Sequence, residues 1–214
     1  MGTRDNSADT VRLLEKARAG DQVALNELFA RYRDRLRRMV DLRIDRQLQA
    51  RIDASDVIQE AYVDAFSRWN EYLREPSYPV FLWLRLLVGE RLLKLHRQHL
   101  GTQMRDAALE VSIYRGALPA ASSAALAAQL LGKHTSPTQA VVRAERMIRV
   151  QDALNALDPI DREVLCLRHF EELTLVETAL SLGIHEAAAA KRYIRALRRL
   201  KAALATMPGG LESV

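Results

Sequence analysis

The amino-acid sequence predicts an all-α protein of two small helical domains joined by a linker. Leu, Ala, Arg and Glu dominate, and only nine glycines and six prolines occur among 214 residues. Leu, Ala, Arg and Glu all favour helices. Apolar residues recur every three or four positions over most of the chain, which is the spacing of one helix face. We find no convincing alternation of apolar and polar residues that would indicate a strand.

The first domain is predicted over residues 9–100 and contains four helices. Asp21 and Asp53 are suited to cap the second and third helices, and Asp56 adds an acid in the arrangement of a capping box. Two prolines in the loop at 74–79 separate the third helix from a strongly apolar fourth one. The expected helices span residues 11–20, 22–44, 53–73 and 80–100.

Residues 101–136 are predicted to be a linker, because they are rich in Ala and Ser, poor in charge, and contain at most one marginal helix. The second domain covers residues 137–205, and residues 206–214 form a tail. Pro137 begins its first helix, which Asp158 and Pro159 end.

The end of the second domain has the pattern of a helix-turn-helix motif. A short helix at 175–182 is followed by Gly183, which tolerates the positive φ of a tight corner, and a second helix begins near His185. Ala179 offers only a methyl where the two helices cross. The second helix is cationic and therefore fits a major groove lined with phosphates, although a solvated basic face is the alternative. Its basic residues are Lys191, Arg192, Arg195, Arg198, Arg199 and Lys201.

Net charge points to an extended polyanion as partner. The formal charge is +5 and the pI is about 9.6, with the basic residues in separate zones along the chain. The single cysteine, Cys166, excludes an intramolecular disulfide and lies in an apolar run, so we expect a core residue. Because no apolar run has the length of a membrane span and no signal peptide is evident, we expect a cytoplasmic protein without membrane insertion.

Four polar residues, Asp56, Gln59, Glu60 and Asp64, share one face of the third helix. A metal site would need matching ligands on a facing helix, and acid–base catalysis would need a pocket. A docking face for a basic partner fits better, with a solvated face as the alternative. Since no glycine-rich phosphate loop, Gly-x-Ser-x-Gly or Cys-x-x-Cys occurs, we predict no catalytic residues, metal or cofactor.

Aromatic residues cluster around the proline loop, between Tyr62 and Trp83, next to several arginines. Such rings can stack on unpaired bases of a separated strand. Most of them lie on apolar helix faces and are expected in the core, whereas Tyr72 and Tyr78 are the better candidates for contacting a base.

Three stretches together resemble one family: DASDVIQEAYVDAF, VFLWLRLLVGERLLKLHR and ALDPIDREVLCLRHFEELTLVETALSLGI. They are similar to bacterial RNA polymerase sigma factors of the extracytoplasmic-function (ECF) class. The resemblance implies a promoter-melting helical bundle, a linker, and a helix-turn-helix domain. It further implies a non-enzymatic protein that is monomeric when free and binds core RNA polymerase and promoter DNA. An anti-sigma factor is a further candidate partner.

The resemblance also assigns residues to three surfaces. The polymerase-binding residues would be Asp56, Gln59 and Glu60. The residues that contact the −10 element would be Tyr72, Tyr78, Arg85, Arg91, Lys94 and Arg97. Those that contact the −35 element would be His185, Glu186, Ala188, Lys191, Arg192 and Arg195.

The chain departs from the family pattern at two places. Glu90 and Lys94 stand where Asn and Asp are usual, and alanines occupy 188–190 where Thr-Val-Lys is usual. Alanine offers bases no hydrogen bond, so phosphate contacts and DNA shape are expected to contribute more to −35 recognition.

Two other functions remain open at this level. A stand-alone helix-turn-helix regulator would use residues 9–100 for dimerisation or sensing and would bind a palindrome as a dimer. A protein-only adaptor would use the acidic face and leave the basic helix without a role.

Overall fold

The computed structural model describes residues 8–45, 47–49, 51–100, 118–132 and 140–205. Every regular element in these ranges is helical, which confirms the predicted all-α class. A five-residue π-turn, Cys166–Phe170, continues α7. The helices are α1 (Ala8–Arg18), α2 (Gln22–Arg43), α3 (Ala54–Arg74), α4 (Val80–Leu100), α5 (Ser123–Leu130), α6 (Ala140–Asn155), α7 (Pro159–Leu165), α8 (Leu175–Leu182) and α9 (Glu186–Ala205).

The N-terminal half packs α1, α3 and α4 around α2. The carboxylate of Asp21 accepts hydrogen bonds from the backbone of Val23 and Ala24 and so caps α2 as predicted. Asp53 caps α3 through Ser55 N at 2.7 Å. The capping box expected from Asp56 is not formed, because the Asp53 side chain bonds the second residue after it rather than the third. These caps fix where the helices start and therefore which α3 residues face outward.

The helix-turn-helix has the predicted boundaries. Thr174 and Glu177 form a reciprocal capping box at the start of α8. Gly183 ends α8 with φ 63°, the left-handed conformation expected of a glycine at this corner. The backbone N–H of Ile184 donates to the carbonyl of Ala179 at 3.0 Å, and Ala189 is fully buried where α9 meets the rest of the domain.

Part of the predicted linker is structured. Its helix α5 packs against α6 and the end of α2, and buries Leu126 and Ala127 in an apolar cluster with Leu154. Ser122 N donates to Leu42 O at 2.8 Å, which ties the start of α5 to the N-terminal half. Residues 101–117 and 133–136 of the predicted linker, the predicted helix start at Pro137 and the tail 206–214 lie outside the described residues.

The two halves of the chain pack directly against each other. Val164, Leu167 and Leu173 of the C-terminal half belong to the same buried cluster as the core of the N-terminal half. A bilayer crossing would need a helix both long and apolar, and the described part of the chain contains none.

Candidate functional site

The predicted docking face on α3 is open to solvent. Asp56, Gln59 and Glu60 are all exposed. Gln59 and Glu60 lie three and four positions after Asp56 along the helix, so the three side chains form one continuous strip. Val63 continues this strip at the next helical interval and is 66% exposed. The strip therefore combines carboxylates, an amide and an uncovered apolar side chain, which is a composition that suits protein docking.

Arg91 of α4 lies beside this strip and is paired with acids. Its guanidinium donates to both carboxylate oxygens of Asp64 at 2.8 and 2.9 Å, and its Nη1 is 3.5 Å from Glu60 Oε2. The hydrogen bonds from Arg91 lower the pKa of Asp64 below its ordinary value. Arg91 was predicted to contact −10 DNA, whereas the structure directs its guanidinium to α3.

Tyr72 is part of the aromatic core rather than a free ring. It is buried, and it stacks against Trp83 and Trp69 with centroid distances of 4.5 and 5.4 Å. Its hydroxyl donates to the carbonyl of Tyr78 at 2.7 Å. Tyr72 is therefore stacked between two other rings in this conformation, and its contact with a base stays a prediction. The sequence could not distinguish the two tyrosines, since the stacking partners come from two different helices.

Tyr78 and Trp83 border an open cleft of about 480 Å³ between the end of α3 and the start of α4, and Tyr72 also lines it. The rings of Tyr78 and Trp83 are half-buried. Arg68 and Arg74 line the cleft together with Glu71 and Glu75, so groups of both charges border it. Aromatic faces next to guanidinium groups are suited to a stacked base and its phosphate.

The predicted −10 residues of α4 divide into two groups. Lys94 and Arg97 are exposed near the end of the helix. Arg85 is buried, and its Nε donates to Glu171 Oε2 at 2.6 Å. In this conformation a carboxylate from the C-terminal half occupies the guanidinium of Arg85, and its contact with −10 DNA stays a prediction.

The first turns of α9 present the predicted −35 residues. His185, Glu186 and Lys191 are exposed, and Ala188 is half-buried. Ala189 in the same turns is fully buried, so this end of α9 packs on the domain with one face and presents the opposite face to solvent, as a recognition helix requires.

Arg192 and Arg195 bind an acid that sequence reasoning missed. Asp161 is fully buried at the start of α7. It accepts two hydrogen bonds from Arg195 at 2.7 and 2.6 Å and one from Arg192 at 3.3 Å, and Arg199 Nη1 lies 3.5 Å away. Burial alone would raise the pKa of Asp161, but the guanidiniums of Arg195 and Arg192 outweigh it and hold this pKa below its ordinary value. An acid in the first turn of a helix is so common that its position alone gave no signal.

Sequence reasoning also missed a buried ionic cluster between the halves, made of Arg43, Arg85, Glu163 and Glu171. Burial raises the pKa of a carboxyl group, but Arg43 and Arg85 reverse this and lower the pKa of Glu171 to about 2. Cys166, predicted to be a core residue, is fully buried next to this cluster. Among the described residues, no three or more His, Cys, Asp or Glu side chains are grouped so that they could hold a metal ion.

Comparison with known proteins identifies one matching family model and several proteins of similar sequence. Residues 153–202 match the family model for sigma-70, region 4. The ECF RNA polymerase sigma factor BldN of Streptomyces coelicolor is 23% identical over 195 residues, which covers 91% of this chain and 66% of that protein. The ECF RNA polymerase sigma factor SigD of Mycobacterium tuberculosis is 27% identical over 189 residues, covering 88% of this chain and 81% of that protein.

A solved structure agrees with the fold. The structure of CnrH in complex with the cytosolic domain of CnrY superposes with a TM-score of 0.54 at 23% identity, and the match covers 94% of this chain and 100% of that chain. The likeness extends over both helical halves and supports the two-domain helical architecture.

Proposed function

We propose that this chain is an ECF sigma factor, a dissociable subunit of RNA polymerase that directs transcription initiation at −10 and −35 promoter elements. One observation carries this proposal: sigma factors match nearly the whole chain, including both the exposed strip of α3 and the helix-turn-helix. The alternative function, that of a stand-alone dimeric regulator, would account for the helix-turn-helix but not for the exposed strip of α3. Core RNA polymerase and promoter DNA are therefore the proposed partners, with an anti-sigma factor as a candidate. The proposed place of action is the cytoplasm, and the chain itself would perform no catalysis.

Polymerase binding is assigned to the strip of Asp56, Gln59, Glu60 and Val63. All four side chains are exposed and share one face of α3. The carboxylates would pair with basic groups of the largest polymerase subunit, and Val63 would supply apolar contact at the end of the strip. Exposed ion pairs contribute little on their own, so the combined surface is what supports docking.

Contact with the −10 element is assigned to the cleft of Tyr78 and Trp83 together with Lys94 and Arg97. A base turned out of the duplex would stack on the cleft rings, which offsets the few kcal/mol of unstacking. Leu86 lines the cleft, and Lys94 lies two turns further along the same face, about 12 Å away. The strand would therefore pass its next phosphates over Lys94 and Arg97.

Contact with the −35 element is assigned to the first turns of α9, through His185, Glu186, Ala188 and Lys191. Arg192 and Arg195 keep about 30% and 46% of their side-chain surface exposed while bound to Asp161. We assign them an electrostatic role at the edge of the groove, because their best hydrogen-bonding edge is directed at a carboxylate. The methyl groups at 188–190 allow close approach but read few bases.

The test is association with core polymerase combined with run-off transcription. In Asp56→Lys/Glu60→Lys, the charge of the strip is reversed at two exposed positions. The matched control, Glu15→Lys/Asp34→Lys, makes the same charge change at two exposed positions on α1 and α2. We expect only the α3 variant to lose co-purification and transcription, while both variants retain the helical content of the wild type. Normal association of the α3 variant would refute the docking assignment. Tight symmetric binding to a palindrome, without transcription at any promoter, would refute the sigma factor function.

A further inference from the structure

Ile194 is an exposed apolar residue in the middle of the cationic helix α9. It is 49% exposed, whereas Tyr193 beside it and Leu197 one turn later pack against the apolar core. Isoleucine is also a weaker helix former than the lysines and arginines that share the exposed side of this helix. Neither packing nor helix propensity therefore accounts for an isoleucine at this position.

The buried face of α9 fixes the direction in which Ile194 lies. Ala189 and Ala196 have no exposed surface and mark the face that packs on the domain. Successive residues of an α-helix are about 100° apart, so Ile194 lies about 140° from Ala189 and about 160° from Ala196 around the axis. Lys191 and Arg198 are exposed one turn before and one turn after it. Lys191, Ile194 and Arg198 therefore form the outward ridge of α9.

Few groups near this ridge are free to read bases by hydrogen bonds. Asp161 accepts hydrogen bonds from Arg195 at 2.7 and 2.6 Å and from Arg192 at 3.3 Å, so both guanidiniums direct donors at α7. Ala187 is exposed and Ala190 is half-buried, and neither side chain can form a hydrogen bond. An apolar contact is consequently the chemistry that the centre of the ridge offers to DNA.

Ile194 is within reach of base edges when α9 lies in a major groove. It stands eight residues after the start of α9 at Glu186, which is about 12 Å along the axis. The major groove is about 12 Å wide, and the C5-methyl of thymine is the apolar group that a base pair presents there. Lys191 and Arg198, on either side of Ile194, complement the charge of the phosphates that border the groove.

We propose that Ile194 is a specificity-determining residue of the −35 interaction and selects thymine by contact with its C5-methyl group. The inference rests on the proposed function, because it places α9 in the major groove of that element. Burial of one methyl-sized group contributes about 0.8 kcal/mol, so thymine at the contacted position should favour binding about fourfold. Ile194 thus adds a preference for one base to a helix whose other contacts are mainly electrostatic.

The test removes the methyl group and leaves base pairing unchanged. Holoenzyme assembled from the full chain and core polymerase first selects promoters from a synthetic library with a randomised upstream element. Each thymine of the selected element, on either strand, is then replaced singly by deoxyuridine, which lacks only the C5-methyl. We expect one such replacement to weaken holoenzyme binding about fourfold in a competition assay.

Ile194→Ala identifies the side chain that contacts this methyl. In the variant, the ratio of affinities for the thymine and deoxyuridine promoters should fall from about fourfold to about one. Ile148→Ala is the matched control, since it makes the same substitution at a 59% exposed position of α6, and it should keep the wild-type ratio. Alanine favours helices, so both variants should retain the wild-type circular dichroism spectrum.

The comparison also separates methyl contact from DNA shape. If the methyl acted by stiffening the duplex, the ratio would persist in Ile194→Ala, and that result would overturn the proposal. A selected element without thymine, or a wild-type ratio below twofold at every thymine, would overturn it as well. A wild-type dimer in sedimentation that Ile194→Ala abolishes would show that Ile194 contacts a second copy of the chain instead.

The inference and the proposed function can fail separately. If core polymerase carrying this chain transcribes from no promoter, the sigma factor function fails. The chain alone is then selected against the same random duplexes and compared on thymine and deoxyuridine, with Ile194→Ala and Ile148→Ala as before. Selective loss of the ratio in Ile194→Ala would support methyl contact by α9, whereas enrichment of no duplex sequence would overturn it.

Discussion

Asp161→Asn is the sharpest perturbation of the C-terminal half, because one carboxylate is shared by three arginines of α9. The substitution keeps the size of the side chain but replaces one acceptor oxygen by an N–H donor that faces guanidinium donors. Asp161 is fully buried, whereas the side chains of Arg192, Arg195 and Arg199 are 30%, 46% and 55% exposed. The charges that lose their partner can therefore recover part of their hydration.

The expected loss follows from this difference in burial. Removing one partner of a fully buried ion pair costs about 3–5 kcal/mol, and exposed pairs contribute at most about 1 kcal/mol. We therefore expect Asp161→Asn to lower the free energy of unfolding by about 2 kcal/mol. For a chain of this size, that corresponds to a fall in Tm of about 4–8 °C.

Thermal unfolding followed by circular dichroism measures this loss, with Asp152→Asn as the control at an exposed position of α6. A variant whose Tm stays within about 1 °C of the control would refute the reasoning. It would mean that the arginines regain hydration at no cost and that Asp161 does not hold α9 against α7.

Three further predictions concern the connector, the α8 cap and acid stability. A Cβ on Gly89 would lie 1.7 Å from the Leu118 side chain, so Gly89→Ala alone should not raise the free energy of unfolding. In a Leu118→Ala background, where this contact is removed, Gly89→Ala should raise the free energy of unfolding measured in urea by about 0.8–1 kcal/mol, because alanine favours the helix more than glycine does. Thr174→Ala removes the α8 cap and should cost about 1 kcal/mol in the same measurement, with Thr174→Ser recovering most of it. Burial opposes the ionisation of Glu171, but its arginine partners lower its pKa from 4.5 to about 2. Its stabilising contribution should therefore be complete above pH 4.5 and be lost as pH falls toward 2, and a pH series of unfolding midpoints should be flatter in that window for Glu171→Gln.

The sequence predicted the features that depend on neighbours along the chain. The cap at Asp21, the break at Gly183 and the starts of α8 and α9 each follow from a few adjacent residues, because capping and positive φ are local properties. The exposed strip of α3 was also predictable, since helical spacing alone places Asp56, Gln59 and Glu60 together.

The contacts that the sequence did not reveal are those between residues far apart in the chain. Arg85 was assigned to DNA by the family resemblance, and Glu171, 86 positions away, binds it in this structure. Asp161, 34 positions from Arg195, engages that arginine in the same way. The stacking of Tyr72 on Trp83 was not predicted either, since the two rings lie on different helices. Charge along a sequence shows how many cations are present but not which of them a remote carboxylate neutralises.

The enclosed methyl of Ala189 limits how the specificity of this protein can be redesigned. Ala189 has no exposed surface, so a valine there would need neighbouring side chains to shift, at a cost of about 1–3 kcal/mol. Replacing residues 188–190 by the larger side chains of a relative would therefore strain the packing of α9 on its own domain. A chimaera that exchanges α8, the corner and α9 as one block would keep each recognition surface with the support it fits.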